Sequence, residues 1–239
     1  LGAGLGLPRA DLLGLKECDQ LSQVLIDRGE LWNAAFAGAP VMRPLQGELL
    51  AWDCAGLKLT VLGPPIPRLR KLAAEWKKFK DKDPDEQRSD LLGKKDAWPP
   101  KWLSLPSSDT TIRNGTSIVL LAEYGDQRLL LAGDAFAGDI LEGLQQFQAA
   151  RGLSGQALPL NIFKLPHHGS ARNISPELLE SVACQHFLIS TDGSGNSKHP
   201  DQQALLRVLK HSAHRPCLGF NVATAANRNW RDRKSDVLK

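Results

Sequence analysis

Histidine is absent from residues 1–166 of this 239-residue chain; all six histidines lie at or after His167. A metal or acid–base site built on imidazole must therefore draw it from the last third of the sequence. Cysteine is sparse and scattered. Cys18, Cys54, Cys184 and Cys217 form no CxxC pair, which excludes a zinc finger or a dense disulfide framework and favours a reducing compartment. No run of about 18 apolar residues exists to form a membrane-spanning helix, and the chain is expected in the cytoplasm with no membrane partner. The opening LGAGLGL lacks the basic start and apolar length of a signal peptide. We read Leu1 as a cut end, produced either by biological cleavage or by trimming. With 42% hydrophobic and 23% charged residues, the composition is that of a globular domain rather than a collagen-like, coiled-coil or disordered chain.

Charge is unevenly distributed. Residues 68–101 hold 11 basic and 7 acidic side chains, and residues 205–239 hold 8 and 2. Between them, residues 102–204 hold 6 basic and 10 acidic. Two basic segments can track a phosphate backbone through counterion release, or they are a solvated helix face and a charged tail. An acidic middle suits a cation-binding centre.

The pattern alternates strands with helices, which defines an α/β protein. Leu21, Val24 and Leu25, then Leu31, Ala35 and Phe36, suggest a helix broken at Gly29. Leu57–Leu62 alternates as a strand and stops at Gly63-Pro64-Pro65. Leu69, Leu72, Ala73, Trp76 and Phe79 recur at helical spacing, and a charged insertion follows at about 80–110. Residues 117–124 and 128–132 predict a hairpin turning at Gly125-Asp126. Residues 140–147 predict a helix, 161–165 a strand, and Ser175-Pro176 the capped start of a helix running through Val182. Residues 186–190 predict a strand, 201–210 a helix and 217–221 a last strand.

Three motifs sit where strands run out, a placement that lets functional groups converge on one rim of a sheet. Asn114-Gly115-Thr116-Ser117 precedes one strand. Gly133-Asp134 follows another; a carboxylate there either binds a cation or caps the next helix. Lys164-Leu165-Pro166-His167-His168-Gly169-Ser170 follows a third, with two imidazoles before a permissive glycine. His199-Pro200 opens the last helix as a capping residue or a group facing substrate. His186 is expected to be structural, and His211 and His214 solvent-exposed.

In this order, Asn114–Val119, Leu129–Ala135, Leu165–Ser170 and His199-Pro200 resemble the metallo-β-lactamase superfamily, most of all the branch containing the hydrolase domain of ComEC-type DNA-uptake proteins. The resemblance covers about residues 112–205. It implies an αββα sandwich with two divalent ions, zinc or manganese, at one edge of the sheets. It also implies Asp134 bridging both ions and His168, or else His167, ligating one of them. Asn114, Lys164, Ser170 and His199 would contact substrate, His199 also serving as a catalytic acid. The family's His-x-His-x-Asp-His motif is missing, because no histidine precedes His167. We therefore expect the whole chain, 1–239, to be the C-terminal portion of one such domain, incomplete at the N-terminus. Its own cleaved N-terminal fragment would supply the motif, after an activating protease as in bacterial defence systems. The expected activity is a nuclease or phosphodiesterase on DNA or RNA. The alternatives are a small-molecule ester or lactam hydrolase and a non-catalytic scaffold of the same fold.

Overall fold

The computed structural model describes residues 15–29, 33–80, 109–193 and 199–223. The chain divides into two compact units, Leu1–Pro40 with Arg70–Ser104, and Val41–Leu69 with Leu105–Lys239. In the first unit, helix α1 (Leu15–Asp27) stops short of Gly29 as its periodicity suggests, and a 3-10 turn covers Ala34–Phe36. Helix α2 (Ile66–Lys80) begins in the second unit and continues into the first. Most of the charged insertion, 81–108, lies outside the described residues, as does the basic stretch from residue 224 onward.

The second unit is built on one seven-stranded mixed sheet whose spatial order follows the sequence: β1 (Ala51–Cys54), β2 (Leu57–Gly63), β3 (Val119–Tyr124), β4 (Gln127–Leu131), β5 (Leu158–Lys164), β6 (Val182–Ile189) and β7 (Cys217–Phe220). Strands β1 to β4 pair antiparallel; β4 to β7 pair parallel. The β3–β4 hairpin turns through Gly125-Asp126, with Tyr124 opposite Gln127. Each parallel step needs a crossover, and these carry helices α3 (Ala137–Ala150), α4 (Pro176–Glu180) and α5 (Gln202–His211). Crossovers of one hand advancing in one direction along a sheet place their helices on one face.

Burial follows from that arrangement. Leu121, Leu130, Phe163 and Phe187 lie side by side in register and are fully buried beneath the helices. Each such side chain contributes about 1.5–3 kcal/mol relative to exposure. The next row, Leu120, Leu131, Lys164 and Leu188, points to the opposite face. That row is aliphatic except for Lys164, and the face is incompletely covered, with Leu188 40% exposed.

Helix α3 is pinned by two ion pairs, Arg43–Glu142 at 2.7 Å and Arg68–Asp139 at 2.8 Å. Arg68, from the basic segment 68–101, is thus committed to the fold, and it also lies over the Phe136 ring. Ser175 caps α4 as its sequence suggests, its Oγ accepting the Leu178 N–H at 3.2 Å.

Several elements differ from expectation. Strand β1 carries no alternation, because all four of its residues are exposed. Helix α4 stops at Glu180 rather than running through Val182, so β6 starts early and His186 sits in mid-strand. His211 is not a free surface group: its Nδ1 lies 2.8 Å from Glu180 Oε1. Among the described residues no helix is long and apolar enough to cross a membrane.

Candidate functional site

The pairing directions bring the three motifs to one rim. The carboxyl ends of β4, β5 and β6 point the same way, and β3, antiparallel to β4, begins at that same edge. This is the edge at which open α/β sheets offer ligands a crevice.

Asp134 lies in a tight turn after β4. Gly133 has φ +52°, and a Cβ there would stand 2.9 Å from Ser117 Cβ, so the turn requires glycine. Ser117 Oγ accepts the Asp134 N–H at 3.1 Å and ties the turn to the start of β3. The capping role open to Asp134 is not used: the N-cap of α3 is Phe136, with no side-chain cap. The Asp134 carboxylate makes no hydrogen bond to any described residue and faces His168 Nε2 at 3.9 Å.

His167, His168 and Gly169 form a short left-handed run, with φ of +43°, +55° and +84°. Two consecutive non-glycine residues in this region are costly and persist where their surroundings over-determine them. Here the His167 N–H donates to Gly133 O at 2.9 Å, and the Ser170 N–H to His167 O at 2.8 Å. The Asp201 N–H donates to Gly169 O at 3.0 Å, and Asp201 Oδ2 accepts the Ala171 N–H at 2.8 Å. Arg207 completes the clamp by donating to the carbonyls of Ala171 and Ile174, each at 2.6 Å.

The two imidazoles are held differently. His168 Nδ1 lies 2.6 Å from Ser190 O; a carbonyl only accepts, so this nitrogen carries the proton and Nε2 keeps its lone pair. Metal-ligating histidines are likewise backed through one ring nitrogen, which leaves the other open. His167 is enclosed by Asn173 Oδ1 at 3.1 Å, Asp109 Oδ2 at 3.3 Å and Asn114 Nδ2 at 3.4 Å, all measured to Nδ1. Burial pushes the Asp109 carboxyl up, but hydrogen bonds from Asn114, Thr111 and Asn173 outweigh it and bring the pKa down to about 2.

His199 stacks edge-on against His167, with ring centroids 5.2 Å apart. Its Nδ1 is buried 3.3 Å from Asp201 Oδ1, outside close hydrogen-bond alignment. Burial pushes the Asp201 carboxyl up, but the His199 contact and the Ala171 N–H bring it below its ordinary value. Burial lowers the pKa of Lys164, at the end of β5, while the nearby Asp134 opposes the shift. Among the sequence candidates, Asp134, His168, His167, His199, Asn114 and Lys164 converge. Ser170 does not offer a surface to substrate: it is 2% exposed, and its Oγ accepts the Arg172 N–H within the turn.

Asp109, Asn173, Asp201 and Arg207 are the residues that motif reading misses. Asp109-Thr110-Thr111 carries only a weak local signal, an aspartate whose Oδ1 accepts the N–H two residues on. Among the described residues, no group of three or more His, Cys, Asp and Glu side chains is arranged to hold a metal ion. No family model, curated protein or solved structure matches this chain.

Proposed function

We propose that the chain carries part of the active site of a metal-dependent nuclease or phosphodiesterase of metallo-β-lactamase type. The observation that carries this reading is the pairing of Asp134 with His168 across the ends of β4 and β5, the imidazole lone pair facing the carboxylate. On this reading the seven-stranded sheet is one of two in an αββα sandwich, and its partly covered, largely aliphatic face receives the other.

Asp134 and His168 fit a divalent ion as two of its ligands, and His167 stands beside them. Two are too few for a closed site. On this reading the remaining ligands would come from a His-x-His-x-Asp-His motif on an associated polypeptide. Bound zinc or manganese would supply an activated water at neutral pH and neutralise charge on the scissile phosphate. Lys164 offers a half-buried cation to a phosphate oxygen beside Asp134. With Nδ1 turned to Asp201, His199 would act as the catalytic acid through its other ring nitrogen. The basic segments capture a cytoplasmic nucleic acid.

One observation favours a second reading. The two-ligand set among the described residues is also what a non-catalytic scaffold would retain. Cleavage of labelled single- and double-stranded DNA and RNA by the full chain with its co-purifying partners, in zinc or manganese, separates the two. Metal-dependent cleavage that Asp134→Ala abolishes supports the nuclease. Hydrolysis of a generic ester without nucleic-acid cleavage supports a small-molecule hydrolase. Absence of both metal and turnover supports the scaffold. Charge reversal at Arg228–Lys234 tests substrate capture, with a flatter salt dependence expected.

A further inference from the structure

Behind His167 lies a buried polar group with no role in the chemistry proposed so far. Asn173 is 0% exposed and Asp109 6%. One end of the Asn173 side-chain amide meets three oxygens: Asp109 Oδ2 at 3.1 Å, the Asp134 carbonyl at 3.1 Å and the Ala135 carbonyl at 3.2 Å. Both carbonyls are acceptors, and so is the ionised carboxylate. That end must be the NH2 group, and the opposite end, 3.1 Å from His167 Nδ1, must be the oxygen. An amide oxygen accepts and never donates, so His167 Nδ1 carries the proton. Asp109 Oδ2, 3.3 Å from the same nitrogen, makes the same demand. Asn114 Nδ2 gives one of its two N–H groups to Asp109 Oδ2 at 2.8 Å and stands farther from His167 Nδ1, at 3.4 Å, than either acceptor does.

We infer that Asp109 and Asn173 are positioning residues that lock His167 as its Nδ1–H tautomer and present its Nε2 lone pair to the site. Both members of the histidine pair then work through the same ring atom, His168 being fixed in that tautomer by Ser190 O. The left-handed backbone at His167 is held by the same assembly, because Asn173 also grips the carbonyls of the Asp134 turn. The tautomer assignment rests on the hydrogen bonds alone. Its effect on turnover rests on the phosphodiesterase reading.

Side-chain 15N–1H NMR of the full chain, with His167 assigned by comparison with His167→Gln, reads the tautomer directly near neutral pH. The parent should show a protonated, pyrrole-like Nδ1 and a pyridine-like Nε2. Asp109→Asn and Asn173→Leu should shift population toward the Nε2–H form, and Asp109→Glu should restore part of the parent pattern. If cleavage is observed, Asp109→Asn should lower kcat about 10–100-fold, as supports behind a working histidine do, with KM little changed. A parent spectrum with Nε2 protonated and Nδ1 bare would overturn the inference whether or not the variants fold. So would folded Asp109→Asn and Asn173→Leu proteins that both keep the parent tautomer. The parent tautomer without any cleavage would leave the inference standing and count against the nuclease alone.

Discussion

His168 and Asp134 face one another at 3.9 Å across the ends of two parallel strands, the imidazole backed by the Ser190 carbonyl and the carboxylate hydrogen-bonded to no described residue. Among the described residues the carboxylate has no hydrogen-bond donor, and Lys164 is the opposite charge near it.

Asp134→Ala should therefore separate function from stability. Its unfolding free energy is expected to stay within about 0.5 kcal/mol of the parent. Metal-dependent cleavage should fall by more than the roughly 10–100-fold typical of residues behind a ligand. Denaturant melts, metal content and cleavage rates measured on the same preparation decide it. A variant that cuts at the parent rate sinks the proposed mechanism.

Gly169→Ala should damage the site through geometry. Gly169 has φ +84°, and a Cβ there would stand 2.7 Å from Pro200 Cβ. Backbone strain of this kind costs about 1–3 kcal/mol, and relief requires the His199-Pro200 segment to retreat from the histidine turn. Urea denaturation should register the loss. Unchanged stability would mean that the two segments do not pack as described.

Gly143→Ala tests the scaffold away from the chemistry. Gly143 of α3 lies against β2 so closely that a Cβ would overlap the Leu62 carbonyl. Overpacking of this kind typically costs about 1–3 kcal/mol, more than the helix propensity gained from alanine, about 1 kcal/mol. A net stabilisation in chemical denaturation would contradict the close approach of helix and strand.

Acid should weaken the fold partly through Asp109. Its folded pKa of about 2 lies below the ordinary 3.8. The stabilisation is present in full above the unfolded value and is lost as pH falls toward 2. At about 1.4 kcal/mol per pKa unit, it amounts to about 2 kcal/mol. Between about pH 5 and pH 2, Asp109→Asn should lose less stability than the parent by roughly that amount. Equal acid slopes in the two proteins would refute the depressed value.

The elements legible in the sequence are those whose signal is local. Gly125-Asp126 between two apolar runs marks a two-residue hairpin, and Ser175-Pro176 marks a helix start; both appear where expected. The exposed strand β1 has no buried face to write an alternation into its residues. Helix α4 runs past its observed end on propensity alone, whereas pairing of Leu158 with Val182 claims the following residues for the sheet. The same limit applies to the site. Asp134 and the histidine pair sit beside strands and stand out. Asp109 and Asn173 are 64 residues apart and acquire meaning only when they meet behind His167.

The Asn173 amide joins the Asp109 segment, the Asp134 turn and the histidine turn through one side chain. These three segments therefore do not form a set of interchangeable modules. A substitution in one alters the setting in which changes in the other two are selected, so their mutational effects should be strongly epistatic. Drift is freer where a position touches none of them. Around this amide, the surviving routes of change are concerted ones, in which the aspartate, the asparagine and the histidine are replaced together or kept together.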